Sequence, residues 1–286
     1  MNRIGNKGRC LPVMQALSGE DMAWHQDHLS SWADFIDLVE RLGLNEQGGV
    51  GWYIRGQSDE SWSLQPSLLR HLGDVVVERA LGIEFGATRR FMSQYHLHSP
   101  ADGVDKSQWG AIGWWTVMQH YSCPTRLLDW TLSPYVALYF AVDQFPESDG
   151  AVWFFPSSAL ETITENRYGK LRDSQLETHD LKAVYPIETA HHSVRSAPQQ
   201  AVFTVCTHVL ADHSEIISDA FAGQEHRYPL NRVIVPAGLK NEFLSRLRTM
   251  NITPSSLFPG LDGLGRAARD YIRLRAWRTH SEGKTR

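Results

Sequence analysis

Cysteine is scarce: Cys10, Cys123 and Cys206 are the only three in 286 residues, far apart and in no C-x-x-C pair. That pattern argues against a disulfide framework and a structural zinc site, and makes a reducing cytoplasm the expected compartment. Long apolar runs are missing; none approaches 18 residues, so no transmembrane helix is expected. The opening "MNRIGNKGRCLPVMQALSGE" carries basic residues but no apolar core, so no secretory signal is expected. There is no excess of one charge. A formal net charge of -4 gives no global attraction to nucleic acid or to an anionic membrane. The locally basic "RLRAWRTHSEGKTR" reads as a solvated helix end. Internal repeats, a regular βαβ rhythm, a Gly-rich phosphate loop and a domain-separating linker are also missing.

What the chain does have is the material for a core: 42% hydrophobic residues and ten tryptophans. "SSWADFIDLVERLGL" (30–44) predicts a helix capped by Ser31, with Phe35, Leu38, Val39 and Leu42 on one stripe. "EQGG" marks a turn and "VGWYIRG" (50–56) a strand. Residues 67–96 read as helices broken near Gly73, "SPADGVDKSQ" as a loop, and 109–121 as a helix. "SPYVALYFAVDQF" (133–145) has Ser133 as N-cap and Pro134 at the first helical position, where its missing N–H is harmless. Strands are expected at 150–156, 201–206 and 231–237, helices at 239–250 and 261–277, and residues 157–198 show no clear period. The expected fold is α+β: a small central, mostly antiparallel sheet surrounded by helices. Residues 1–29 read as a loose lead-in, 30–278 as a single domain and 279–286 as a polar tail.

Four polar clusters stand out. In "YIRGQ", strand alternation puts Tyr53 and Arg55 on one face, with Gly56 and Gln57 following. An Arg in an apolar strand needs a partner, and its fork suits carboxylate or phosphate. It anchors an anion, or it forms a structural ion pair, with Asp129 one choice. In "QHYSCPTRLLDWTLSP", Pro124 ends a helix near Tyr121, and an extended run follows. Gln119, His120, Tyr121, Thr125, Arg126, Asp129, Thr131 and Ser133 crowd polar groups against an apolar helix. Asp129 and Thr131 share a face if that run is a strand, and they lead into a helix N-terminus, which favours an anion. Cys123 beside His120 suggests a nucleophile pair. In "ETAHHSVRSAPQQAVFTV", His191 and His192 are adjacent and so point apart; Arg195 precedes a break at Pro198, and Gln199 and Gln200 open a strand. In "GQEHRYPLNRVIVP", Glu225 is an acid in a polar loop.

Together these stretches resemble the FRG domain family. "YIRGQSDESWSLQPSLLR" is similar to its aromatic–Arg–Gly element, with Ile54 between the aromatic residue and Arg55. "QHYSCPTRLLDWTLSPYVALYFA" resembles its long central block, with Ser122 in place of Gly. "RSAPQQAVFTV" is similar to a third element, with Ala201 where the family has Gly. "ITPSSLFPGLDGLGRAA" resembles the closing element, with Gly260 in place of Asp. A looser similarity, in the order of elements, is to ADP-ribosyltransferases. It implies that Arg55 holds NAD by phosphate or ribose, that Thr131 or Ser133 frames the nicotinamide ribose, and that Gln200 or Glu225 positions the reacting group. On that reading Arg55, Asp129, Thr131 and Gln200 are the catalytic set. Tyr53, Gly56, Gln57, His120, Tyr121, Thr125, Arg126, Ser133 and Arg195 surround the nucleotide.

Two functional readings follow. One is an NAD-dependent ADP-ribosyltransferase or NAD glycohydrolase acting on NAD without a metal, on an unspecified acceptor. The other is a non-catalytic nucleotide-binding or interaction module, favoured by the lack of a clear catalytic carboxylate. A hydrolase built on Cys123 and the histidines is a third, and the spacing of those residues matches no metal motif.

Overall fold

The computed structural model describes residues 24–43, 51–98, 109–188, 196–223 and 230–283. Cys10, the "EQGG" turn, the "SPADGVDKSQ" loop, His191, His192, Arg195 and Glu225 lie outside these residues. In chain order the elements are β1 (His25–His28), α1 (Trp32–Gly43), β2 (Trp52–Gln57), α2 (Ser67–Leu72), α3 (Val77–His98) and α4 (Ala111–His120). Then come β3 (Leu127–Thr131), α5 (Pro134–Val142), β4 (Gly150–Pro156), α6 (Ser157–Tyr168), α7 (Asp173–Leu176) and β5 (Val184–Ile187). The rest are α8 (Ser196–Gln199), β6 (Ala201–Cys206), α9 (His213–Phe221), β7 (Asn231–Val235), α10 (Ala237–Thr249), α11 (Pro254–Leu257) and α12 (Leu261–Gly283).

The strands form one sheet in the order β1-β7-β4-β2-β3-β6-β5. All pairings are antiparallel except β1 with β7. The α+β, mostly antiparallel expectation holds, but the sheet is larger than expected because each edge gains a strand. β1 falls within the stretch read as lead-in and is exposed along its length. β5 contains Pro186, which an edge strand tolerates because its N–H would face away from the ladder. α12 runs on through Gly283, past the expected end near 277.

Period-two alternation sorts the core onto two faces. Ile54, Val152, Phe154, Val233 and Val235 pack under α5, α1, α10 and α12. Tyr53, Leu128, Trp130, Trp153, Phe155, Val202 and Ile234 point the other way, against α6 and α9. A third cluster, with Trp115 and Met118 of α4 over Leu127, Tyr185, Phe203 and Val205, covers the β3-β6-β5 end.

α5 begins as its sequence demands: the Ser133 hydroxyl accepts from Val136 N at 3.3 Å, and Pro134 occupies the first turn. Two glycines let it lie close to the sheet. A Cβ on Gly56 would come within 1.8 Å of the Ala137 carbonyl, and one on Gly150 within 2.3 Å of the Ala141 carbonyl. The open carbonyls at the C-terminal end of α5 are met by cations. Arg273 donates to Val142 O and Asp143 O at 2.9 Å each, and buried Lys240 to Gln144 O, Phe145 O and Ser58 O.

Candidate functional site

The site begins where the sheet ladder opens. β2 pairs with β4 at six positions but with β3 only at Ile54–Thr131. Past that bridge Arg55 reaches across, and its Nη1 donates to the main-chain carbonyl of Asp129 at 2.6 Å. A side chain thus satisfies a strand carbonyl that a neighbouring N–H would otherwise serve. This is the Arg55–Asp129 contact; it goes to the carbonyl, not to the carboxylate. Only one of the five guanidinium donors of Arg55 finds a partner among the described residues, and its Nε is buried without one.

The Asp129 carboxylate lies on the other track. β3 persists through Thr131, so Asp129 and Thr131 share the face that carries α4 and α5. Asp129 is the one exposed position of β3. Its Oδ1 accepts from Gln119 Nε2 at 2.6 Å, and Gln119 Oε1 in turn accepts from the buried Thr125 hydroxyl. That relay fixes which end of the Gln119 amide faces the carboxylate. Loss of surrounding water pushes the Asp129 carboxyl up from the usual carboxylate range, against the opposing pull of Arg55, Gln119 and Arg70. The carboxylate thus reaches the surface while the protein around it still removes part of its hydration. Burial pushes the Arg55 guanidinium down, opposed by Asp129 and reinforced by Arg70. Arg70 stands nearby because α2 is clamped here: Leu68 N donates to Thr125 O at 3.0 Å, and Ser67 Oγ accepts from Thr125 N at 3.1 Å.

The remaining expected residues fall into three groups. Several have their polar groups engaged within the fold. The Thr131 hydroxyl donates to Gln199 O and accepts from Ser133 N, and Ser133 caps α5. Gln57 is buried between Trp153 Nε1 and Ser63 O, and Tyr53 packs in the core against Phe155. Gly56 makes its close approach to α5, as already described. Others lie toward the surface. His120 and Tyr121 end α4 edge to face with their ring centres 4.9 Å apart, and Tyr121 is exposed. Gln200 is exposed on a left-handed turn (φ 47°), its carbonyl accepting from Leu132 N, while Gln199 Nε2 is spent on Leu257 O.

Arg126 is the correction. Expected beside a cofactor, it is 1% exposed, and every guanidinium nitrogen has a partner: Glu84 by a two-pronged pairing and Thr207 O at 2.9 Å. Trp115 stacks under it at 4.9 Å. It is a core ion pair. Cys123 is half-buried and its thiol is pushed up by burial, opposite to what an activated nucleophile needs. Among the described residues no group of three His, Cys, Asp or Glu could hold a metal ion, and no helix is long and apolar enough to cross a membrane. Sequence reasoning undervalued Gln119 and overlooked Arg70. Gln119 sits ten residues before Asp129 in the same polar cluster, whereas Arg70 carries no signal beyond its charge.

The molecule is thus a mixed α/β protein whose one sheet opens around an arginine and a carboxylate. Residues 51–150, which supply β2 through the start of β4 and therefore both groups, match the FRG domain family, so the chain carries an FRG domain. Comparison with curated proteins and with solved structures returned no match.

Proposed function

We propose that the recess around Arg55 and Asp129 binds a nucleotide, with NAD as the ligand, and supports cleavage of its nicotinamide–ribose bond, as in ADP-ribosyl transfer or NAD hydrolysis. The observation that carries the reading is the Asp129 carboxylate, accessible yet desolvated, and aimed by the Thr125–Gln119 relay. Arg55, with its donors largely unspent, takes the phosphate side of the ligand. In the reaction the C1′–N1 bond breaks and its electron pair passes to the ring nitrogen, neutralising nicotinamide as it leaves. The ribosyl cation left behind is stabilised by the nearby carboxylate. Water or an acceptor hydroxyl then adds at C1′, and its proton passes to Asp129. The free thiols Cys123 and Cys206 fit a cytoplasmic setting.

One observation favours a second reading, a nucleotide sensor without turnover. Gln200 offers an amide where a carboxylate would serve better, and the hydroxyls of Thr131 and Ser133 are already bonded within the fold. The deciding experiment follows nicotinamide release from NAD by mass spectrometry, with and without cell lysate, in the parent protein and in Arg55→Ala and Asp129→Asn. The enzyme reading expects release that falls about 10²–10³-fold in Asp129→Asn. Thermal stabilisation by NAD that Arg55→Ala removes, without release, supports the sensor. Neither release nor stabilisation overturns both.

A further inference from the structure

A second site lies far along the chain from Arg55 and Asp129. α10 and α12 border a groove of about 320 Å³ lined by Ser245, Arg248 and Thr249 on one side and Tyr271, Leu274, Arg275 and Arg278 on the other. The spacing explains the lining: residues 245, 248 and 249 share one helix face, and 271, 274, 275 and 278 share another. Leu274 is buried and forms an apolar floor. Three guanidinium groups and three hydroxyls stand around it, and among the described residues no carboxylate lines it.

None of the three arginines forms an ion pair among the described residues. Arg278 donates to Ser245 Oγ at 3.1 Å, Arg275 stacks on the Tyr271 ring at 5.3 Å, and half-buried Arg248 has no side-chain partner among the described residues. Neighbouring arginines behave differently. Arg246 pairs with Glu242, Arg266 with Asp262 and Asp143, and Arg269 with Asp143 and Asp270. On a chain of net charge -4, three cations around one concavity, none ion-paired among the described residues, concentrate positive potential there.

We propose that this groove is a binding site for a small polyphosphate anion. Arginine forks and hydroxyl donors match phosphate oxygens, and the groove has the capacity of a small-molecule site, not of a track for a long polymer. Arg275 and Arg278 stand within one turn of α12, and Arg248 lines the same groove from α10, so the three can serve adjacent phosphates of a single chain. The site does not depend on the nucleotide reading of the Arg55 recess.

Titration calorimetry with inorganic triphosphate tests this on the full chain, and Arg55→Ala separates this groove from the recess where Arg55 would take phosphate. The parent protein and Arg55→Ala are expected to bind alike, and a double variant Arg248→Gln/Arg278→Gln about tenfold or more weakly. Raising the salt concentration is expected to weaken binding in the parent more than in the double variant. Far-ultraviolet circular dichroism and melting show that the variants fold; all three residues are at the surface or half-buried, so folding is expected to survive. No binding at millimolar triphosphate overturns the proposal, as does equal binding by the double variant. Loss of binding in Arg55→Ala moves the phosphates to the recess and equally overturns it. A single-stranded oligonucleotide bound in clear preference to triphosphate overturns the class of ligand.

Discussion

His213 makes the fold sensitive to acid, by an amount the structure allows to be worked out. It opens α9 just after the Asp212 cap and is 1% exposed. Its Nδ1 lies 2.8 Å from Thr204 Oγ1, and that oxygen also accepts from Trp130 Nε1 at 2.9 Å. With one lone pair given to Trp130, the threonine proton is best placed on Nδ1, which leaves the ring proton on Nε2. Nε2 is buried without a partner, so a second proton would put an uncompensated charge in the core. Desolvation, with Arg55 and Arg126 adding to it against Asp212, pushes the ring down from 6.5 to about 3. A base whose folded pKa is depressed is neutral in the fold and charged in the unfolded chain between the two values. Its stabilising effect is therefore complete above about pH 6.5 and declines as the pH falls toward 3. At about pH 5 the unfolded histidine is almost fully protonated and the folded one is not, so linkage gives about 2 kcal/mol less stability than at about pH 7.5. Urea unfolding at both pH values, in the parent and in His213→Gln, measures this. The variant is expected to be less stable at the higher pH, yet to lose about 2 kcal/mol less on acidification. Equal losses in the two proteins would refute the assignment, because other groups titrate in both.

Two further outcomes follow from the packing. Glu84→Gln strands Arg126 without its countercharge in the core and is expected to cost about 3–5 kcal/mol in chemical unfolding. The paired replacement Glu84→Leu with Arg126→Met should recover most of that loss, and failure to do so would mean that the pair contributes more than mutual neutralisation. Gly56→Ala drives a methyl group into the Ala137 carbonyl and is expected to lower stability by about 3 kcal/mol or more, read as a drop in melting temperature or loss of soluble protein.

The central elements were legible because each carries a signal set by its own burial. β4 is buried on both faces and reads as an unbroken apolar run, and α5 announces itself by Ser133–Pro134. The two edge strands gave no such signal. β1 is four polar residues that become a strand only by pairing with β7, and β5 holds a proline that argues against a strand until its edge position is known. The site was legible as a cluster but not as a division of labour. Arg55 and Arg126 look alike as arginines in apolar strand-like context. The partner of Arg126 lies 42 residues upstream on α3, where Glu84 has no local mark of burial. Tertiary distance, not residue type, decided which arginine was core and which was available.

The aromatic–Arg–Gly stretch then has a physical account that does not depend on any ligand. Gly56 lets α5 settle against β2, and the ladder between β2 and β3 survives only at Ile54–Thr131. A strand carbonyl inside a protein cannot be left without a donor, and Arg55 supplies one from its side chain. The Arg55 contact therefore explains how the gap is tolerated, but not why so large and costly a group supplies the donor. A neutral side chain could satisfy one carbonyl. A guanidinium with one donor in use among the described residues, beside an accessible carboxylate on a bonded relay, is more than the backbone requires, and that surplus is the strongest physical argument for a ligand at this place.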